Sequence, residues 1–160
     1  MASAKRKTEA KQANPAELLM LEKFVPYRLS ILSNRVSRAI AKRYAKTFHL
    51  TVPEWRIIAV LGRRPGLTAK DIAEATEMDK VAVSRAVARL VAARRVAAAY
   101  DPADARRQLL SLTREGESVH ARIAPIALAS EQRLLAALSA REREIFNALL
   151  DRLLHAARAL

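Results

Sequence analysis

From Leu18 onward, large apolar residues recur every three or four positions: Leu21, Val25, Leu29, Leu32, Val36, Ile40 and Tyr44. That spacing predicts a long amphipathic helix reaching about Phe48. Pro26 interrupts it, so a start, break or kink is expected there, because proline lacks the N–H that an interior helical position requires. Arg28, Arg35, Arg38, Lys42 and Arg43 decorate the remaining faces. Three capping boxes then announce helix starts: Thr51–Glu54, Thr68–Asp71 and Ser139–Glu142. In each, a hydroxyl and an acid three residues later satisfy one another's free backbone N–H groups. The first, with Pro53 pre-setting a helical φ, predicts a helix over 53–62 that buries Trp55, Ile58, Ala59 and Leu61. The second opens a short helix from Ala69 to about Thr76, with Ile72 and Ala73 inward. After a turn at Glu77-Met78, Asp79 caps a longer helix to about Ala93. Its buried stripe is expected to be Val83, Val87, Leu90 and Val91. Lys80, Ser84 and Ala88 then face outward, with Arg85 and Arg89 beside them.

A short helix, a tight turn and a longer helix with a small, basic outer face make helix-turn-helix geometry. A hairpin follows, with strands Val96–Tyr100 and Gln108–Leu112 about a turn at 101–104; Arg106 and Arg107 are expected between the strands, at the tip of a wing. Thr113 starts a long helix carrying Val119, Ile123, Ile126 and Leu134, with a bend expected at Pro125. The final helix gathers Ile145, Leu149, Leu150, Leu153 and Leu154 on one face. These terminal stripes exceed what one small core absorbs, so they are expected to pack against a second copy. The fold class is therefore mainly α: a winged helix-turn-helix with a small β-hairpin wing, flanked by terminal helices forming a dimerisation region. The chain is read as a basic disordered tail (1–16), an N-terminal dimerisation helix (17–48), the winged DNA-binding region (49–113) and C-terminal dimerisation helices (114–160). No internal repeat is visible.

Composition narrows the chemistry. The 160 residues fit one domain, and 33 of them are Ala, a strong helix former that lets helices approach closely. Only seven aromatics are present, which argues against an RNA reader built on stacking rings. Cysteine is absent, removing disulfides, thiolate metal sites and iron–sulfur clusters. The net charge of +13 admits nucleic acid, anionic membrane or anionic small molecules. Its distribution is uneven: +3 over 1–16, +5 over 17–52, +4 over 53–112 and +1 over 113–160. No run of 18 apolar residues exists to span a bilayer, and the charged N-terminus does not read as a secretory signal, so a cytoplasmic setting is expected.

Placed on helix-turn-helix geometry, the basic residues suit double-stranded DNA. Lys80, Ser84 and Arg85 reach base edges or phosphates, since Arg pairs bidentately with guanine O6 and N7. Arg106, on a narrow hairpin, enters the minor groove, with Asp104 orienting it through a charge-assisted pair. The candidate DNA-contacting set is Thr68, Lys80, Ser84, Arg85, Arg89, Asp104, Arg106 and Arg107. Each arginine taken singly is equally a solvated surface residue; their joint placement on one helix and one wing favours DNA. Enzymatic readings find no support. His49, His120 and His155 are isolated, and Asp101 and Asp104 read as a turn rather than metal ligands. Gly62, Gly66 and Gly116 build no phosphate loop. No catalytic residue, metal or cofactor is expected.

The stretch LTVPEWRIIAVLGRRPGLTAKDIAEATEMDKVAVSRAVARL, followed by DPADARRQLLSLTREG, resembles the MarR family of bacterial winged-helix transcription regulators. Its most specific element is Asp104-x-Arg106 ahead of Leu112-Thr113-Arg114-Glu115-Gly116, and the likeness extends over 18–155. It implies a triangular homodimer on a palindromic operator, with Arg106 in the minor groove and residues 79–91 as the recognition helix. Two departures stand out. Where the family usually places Gly after the recognition helix, this chain has Ala93-Arg94-Arg95-Val96, costing about 1 kcal/mol if a left-handed residue is required there. The first wing strand, Val96 to Tyr100, also lacks the usual basic residue. Val25 to Ser30, with Asn34 and Pro53-Glu54-Trp55-Arg56, is similar to a subgroup associated with aromatic-acid (hydroxycinnamate-type) catabolism. On that likeness Arg28 would pair with an effector carboxylate, Asn34 would hydrogen-bond a phenol, and Trp55 would stack. Trp55 is equally a core residue, Asn34 a helix–helix hydrogen bond and Arg28 a surface ion pair; an acyl-CoA thioester is a second effector class. The chain thus reads as a homodimeric repressor released from its operator by a small aromatic or anionic effector. The alternatives are an effector-independent DNA-compacting or anti-silencing protein and, from another class, a basic helical interaction module.

Overall fold

The structure, a computed structural model, describes residues 19–160. The expected basic tail over 1–16 lies outside the described residues. The chain divides at Ser37/Arg38 into two units. Helices α1 (Val25–Phe48), α2 (Val52–Arg63), α3 (Ala69–Thr76) and α4 (Lys80–Ala92) are followed by strands β1 (Val96–Asp101) and β2 (Asp104–Leu112), then α5 (Arg114–Leu135) and α6 (Ala140–Ala157). This is the expected mainly helical architecture with one antiparallel hairpin. Pro26 falls in the first turn of α1, where its missing N–H costs nothing, so the helix begins there and does not kink.

The first unit, as far as it is described, holds a turn closed by Phe24 N–H donating to Met20 O and the N-terminal half of α1. Leu21, Val25, Leu29 and Leu32 are exposed on it.

The second unit contains the core. Tyr44 and Phe48 from the end of α1, Ile57, Ile58 and Leu61 from α2, and Ile72 and Ala73 from α3 are buried together. Val83, Ala86 and Leu90 of α4, Val96 and Leu110 of the hairpin, and Val119 and Ile123 of α5 complete it. All three expected capping boxes form, and Thr113 caps α5 by accepting from Gly116 N–H at 3.1 Å. Leu67 bridges to Leu110, so the α2–α3 loop adds a short third edge to the hairpin. Gly66, at φ +77°, supplies the left-handed turn that brings the loop there, and its N–H donates to Leu110 O at 2.9 Å.

Three expectations change. The buried stripe of α4 is Val83, Ala86 and Leu90; Val87 is half-buried and Val91 is exposed. Ala86 takes the central place because a methyl group permits close approach to the neighbouring helices. Trp55 and Ala59 of α2 are only half-buried, while Ile57 is fully enclosed. The wing strands are longer than expected, leaving only Pro102 and Ala103 between them. Asp101 closes that turn by accepting from Ala103 N–H at 2.9 Å, and a register shift follows Tyr100. Arg106 and Arg107 therefore lie inside β2, not between the strands.

The missing glycine after α4 has a direct structural counterpart. Arg94 adopts φ 56°, in the left-handed region, and its carbonyl accepts a 2.6 Å hydrogen bond from the Thr113 hydroxyl at the start of α5. Gly116 sits against the same junction: a Cβ there would overlap the carbonyl oxygen of Arg95. Arg94→Gly removes the left-handed penalty while keeping the backbone acceptor. It is expected to stabilise the protein by about 1 kcal/mol, raising Tm by about 2–4 °C in thermal unfolding. An unchanged or lowered Tm would show that Arg94 is not strained.

Candidate nucleic-acid interface

The face that would meet a nucleic acid is built by where α4 is capped and how it is buried. Asp79 caps it, its carboxylate accepting from Val81 N–H at 2.9 Å and Ala82 N–H at 3.0 Å. With Val83, Ala86 and Leu90 inward, Lys80, Val81, Ser84, Arg85 and Ala88 are exposed on the opposite side. Val81 is an addition to the expected face. It is 55% exposed beside Lys80, where an apolar side chain can meet a thymine methyl group. Helical phase alone places it there, one turn before Arg85.

Thr68 caps α3. Its hydroxyl donates to Asp71 at 2.7 Å and accepts from Asp71 N–H at 3.2 Å, and its own N–H donates to the same carboxylate at 2.8 Å. These hydrogen bonds hold the Asp71 carboxyl below the usual carboxylate range. The Thr68 hydroxyl is thus committed to the cap. Around it opens a groove of about 440 Å³ where α3, α4 and the wing meet, lined by Thr68, Lys70, Ser84, Arg106, Arg107 and Gln108 among others. Lys70 and Gln108 also extend the expected set.

On the wing, Asp104 grips Arg106 in the expected manner. The guanidinium donates from Nε at 3.1 Å and from Nη2 at 3.4 Å, and the backbone N–H of Arg106 donates at 3.1 Å. Those bonds hold the Asp104 carboxyl below its ordinary range. The Arg106 side chain is 90% exposed, so it is aimed without being buried. Arg107 pairs instead with Asp101 at 3.4 Å, tying the two wing strands together near the turn. Tyr100, opposite Gln108 in the register, is also exposed.

Arg89 behaves differently from its neighbours. Its Nε donates to Glu54 Oε1 at 2.7 Å, across from α4 to the start of α2. Glu54 is the one buried charged side chain among the described residues. Its other oxygen accepts from the Thr51 hydroxyl and Thr51 N–H, both at 2.7 Å. Burial pushes the Glu54 carboxyl up, but the hydrogen bonds from Thr51 and Arg89 outweigh it and hold the pKa below the ordinary 4.5.

The three candidate effector residues fall in different units. Arg28 and Asn34 are exposed on the N-terminal half of α1, and Arg28 borders a concavity of about 770 Å³ with Leu21, Val25, Leu32 and Arg35. Trp55, in the second unit, stacks on His120 with ring centroids 5.9 Å apart and interplanar angle 25°, and lies 5.9 Å from Tyr44. Among the described residues no three His, Cys, Asp or Glu side chains are grouped to hold a metal, and no helix is long and apolar enough to cross a membrane.

The sequence profile of the MarR family matches residues 49–107, which run from the loop before α2 through Arg107. The transcriptional regulator HosA of Escherichia coli O111:H- is 31% identical over 107 residues, covering 67% of this chain and 79% of HosA. The chain belongs to the MarR family. Its winged helix-turn-helix also matches solved MarR-type structures along most of its length. The PcaV transcriptional regulator of Streptomyces coelicolor, solved with its natural ligand, superposes with a TM-score of 0.69 at 28% identity, covering 87% of this chain and 97% of PcaV. The S. aureus MepR–DNA complex gives 0.74 at 25% identity, over 83% of this chain and 98% of MepR. HosA and PcaV are transcriptional regulators, and this chain is a MarR-type transcriptional regulator.

The pKa of Glu54 carries a testable sign. Its folded value lies below the ordinary 4.5, so its stabilisation is fully present above that pH and is lost as pH falls through the folded value. Glu54→Gln removes the carboxylate. Urea unfolding should therefore show a stability gap between wild type and variant that is wide at neutral pH and narrows below pH 4.5. A gap that is constant with pH would contradict the assignment.

Proposed function

We propose that this MarR-type regulator is a homodimeric repressor that binds a palindromic double-stranded operator through α4 and the wing. A small aromatic or anionic effector, an aromatic acid or its CoA thioester, releases it. The observation that carries the proposal is the groove in which Lys70 of α3, Ser84 of α4 and Arg106 of β2 share one face. Lys80 and Arg85 extend that face along α4. An α-helix fills a major groove, and a guanidinium on a narrow hairpin suits the electronegative minor groove beside it. In this reading Lys80, Ser84 and Arg85 contact base edges or nearby phosphates. Arg106 enters the minor groove under the control of Asp104, while Thr68 and Arg107 shape the groove between them. The MepR–DNA complex supports DNA as the partner.

The homodimer is supported by apolar surface left uncovered on α6, where Ile145, Phe146, Leu149, Leu153 and Leu154 are all exposed. Burying such side chains stabilises by about 1.5–3 kcal/mol each, and a second copy would bury them. A two-fold pair places two α4 helices on successive major grooves, about 34 Å apart. The effector acts by favouring a dimer in which that spacing is lost. Support for an effector comes from PcaV, solved with a ligand, and from the concavity beside Arg28. Arg28 would then pair with the effector's carboxylate and Asn34 would hydrogen-bond a phenol.

Fluorescence anisotropy at fixed salt tests the DNA reading. A duplex selected by this protein from a random pool should bind far more tightly than its scrambled form. Equal affinities would favour a sequence-independent DNA-compacting protein instead. Arg106→Ala should reduce the slope of log K against log salt by about 0.9 for each phosphate no longer neutralised; an unchanged slope would place the wing off the DNA. A thermal-shift series with aromatic acids and their CoA thioesters tests the effector. Ligands that raise Tm should also release the selected duplex, and ligands that raise Tm without releasing it would contradict the repressor mechanism.

A further inference from the structure

We propose that Glu54 and Arg89 form a positioning strut for the DNA-reading helix, and that Arg89 is withheld from DNA by this pairing. The inference deepens the DNA reading and rests on it for its binding arm. Arg89 lies on α4 one turn beyond Arg85, so its position alone would make it a phosphate contact. Its Nε instead meets Glu54 Oε1 at 2.7 Å, and Glu54 is only 5% exposed.

Nothing in the helix-turn-helix itself demands a buried acid at this place. Glu54 already serves as the acidic member of the α2 capping box through Oε2, and a capping box works at the surface, as Ser139–Glu142 does on α6. The second oxygen is what burial makes consequential. A buried carboxylate with one oxygen unpaired is costly, so the structure holds together best when α4 presents a guanidinium at this point. That requirement restricts α4 in a way that apolar packing does not. Val83, Ala86 and Leu90 allow small rotations and slides, because the hydrophobic contacts they make are non-directional. A 2.7 Å hydrogen bond from a planar guanidinium is directional, and it sets the roll of α4 about its axis. The roll decides where Ser84 and Arg85 point relative to Arg106 on the wing.

The pairing also divides labour among the basic residues of α4. Lys80 and Arg85 have no ion-pair partner within 4.0 Å among the described residues, whereas Arg89 has one. The bond to Glu54 engages only Nε, and the Arg89 side chain stays 55% exposed, but the carboxylate offsets its charge, so it attracts a phosphate less than Lys80 or Arg85 does. Arg89 thus contributes geometry, and through geometry sequence preference, rather than charge.

The test uses the full chain, with Arg89→Ala and Glu54→Gln beside wild type, against the selected duplex and its scrambled form. Arg89→Ala is expected to lower the ratio of selected to scrambled affinity by about tenfold or more while leaving the salt slope on either duplex unchanged. Glu54→Gln is expected to lower the same ratio. A slope that flattens by about 0.9 in Arg89→Ala, the value for one phosphate released, would overturn the proposal by making Arg89 a phosphate ligand. Ratios that stay at the wild-type value in both variants would overturn it by making the pair purely structural. A second readout is independent of DNA: amide hydrogen exchange across 80–92 in the free protein should accelerate in both variants and not in Arg85→Ala. If wild type shows no preference for the selected duplex, the DNA reading fails, and exchange still decides the strut: unaltered exchange in both variants overturns it.

Discussion

The direction in which α4 faces depends on the burial of three side chains, Val83, Ala86 and Leu90, against the α2–α3 pair. They occupy one side of the helix, and their removal from water leaves Lys80, Val81, Ser84 and Arg85 no orientation but outward. Ile57 and Ile58 of α2 and Ile72 of α3 supply the opposing surface. The hairpin is held by the same core through Val96 and Leu110. Helix α4 and the wing are therefore registered to each other through shared buried contacts, not through the surface loops that connect them.

Polar groups refine what apolar packing leaves loose. Each helix of the second unit from α2 onward has a side-chain cap, which satisfies N–H groups that burial would otherwise leave unpaired. The Thr113 hydroxyl serves twice, capping α5 and closing onto the carbonyl of Arg94, so the exit of α4, the start of β1 and the start of α5 meet at one point. Asp101 and Asp104 do the same for the wing, closing its turn and aiming its guanidinium groups. Among the described residues no buried side-chain nitrogen or oxygen lacks a hydrogen bond.

Much of this is legible in the residues, and what is not has physical causes. Capping boxes are local, so Thr51, Thr68 and Ser139 announce their helices without reference to the rest of the chain. The helix-turn-helix follows from caps and apolar spacing together. Ala86 escapes such a reading because alanine carries little hydrophobic signal in a chain that has so many; its burial reflects close helix approach, which is a tertiary property. The wing strands extend beyond their apparent bounds because Asp101 closes a two-residue turn through its side chain, and the alternation around it is poor. Arg89 looks identical to Arg85 in sequence, since its partner lies 35 positions away. The departure at Arg94 is visible only against the family pattern, and its left-handed φ explains why glycine is favoured there.

Exposed apolar surface is carried by α6 and, in the first unit, by the N-terminal half of α1. In the proposed repressor, α6 covers its apolar residues against a second copy while α4 and the wing meet DNA. In that proposed repressor, α4 and the wing act as one face, presented twice by a two-fold pair. Hydroxyl-radical footprinting of the selected duplex tests this most directly. Two minor-groove windows of protection are predicted, symmetric about the dyad and flanking the major-groove segments occupied by α4. Continuous protection without minor-groove windows, or a single asymmetric window, would contradict it.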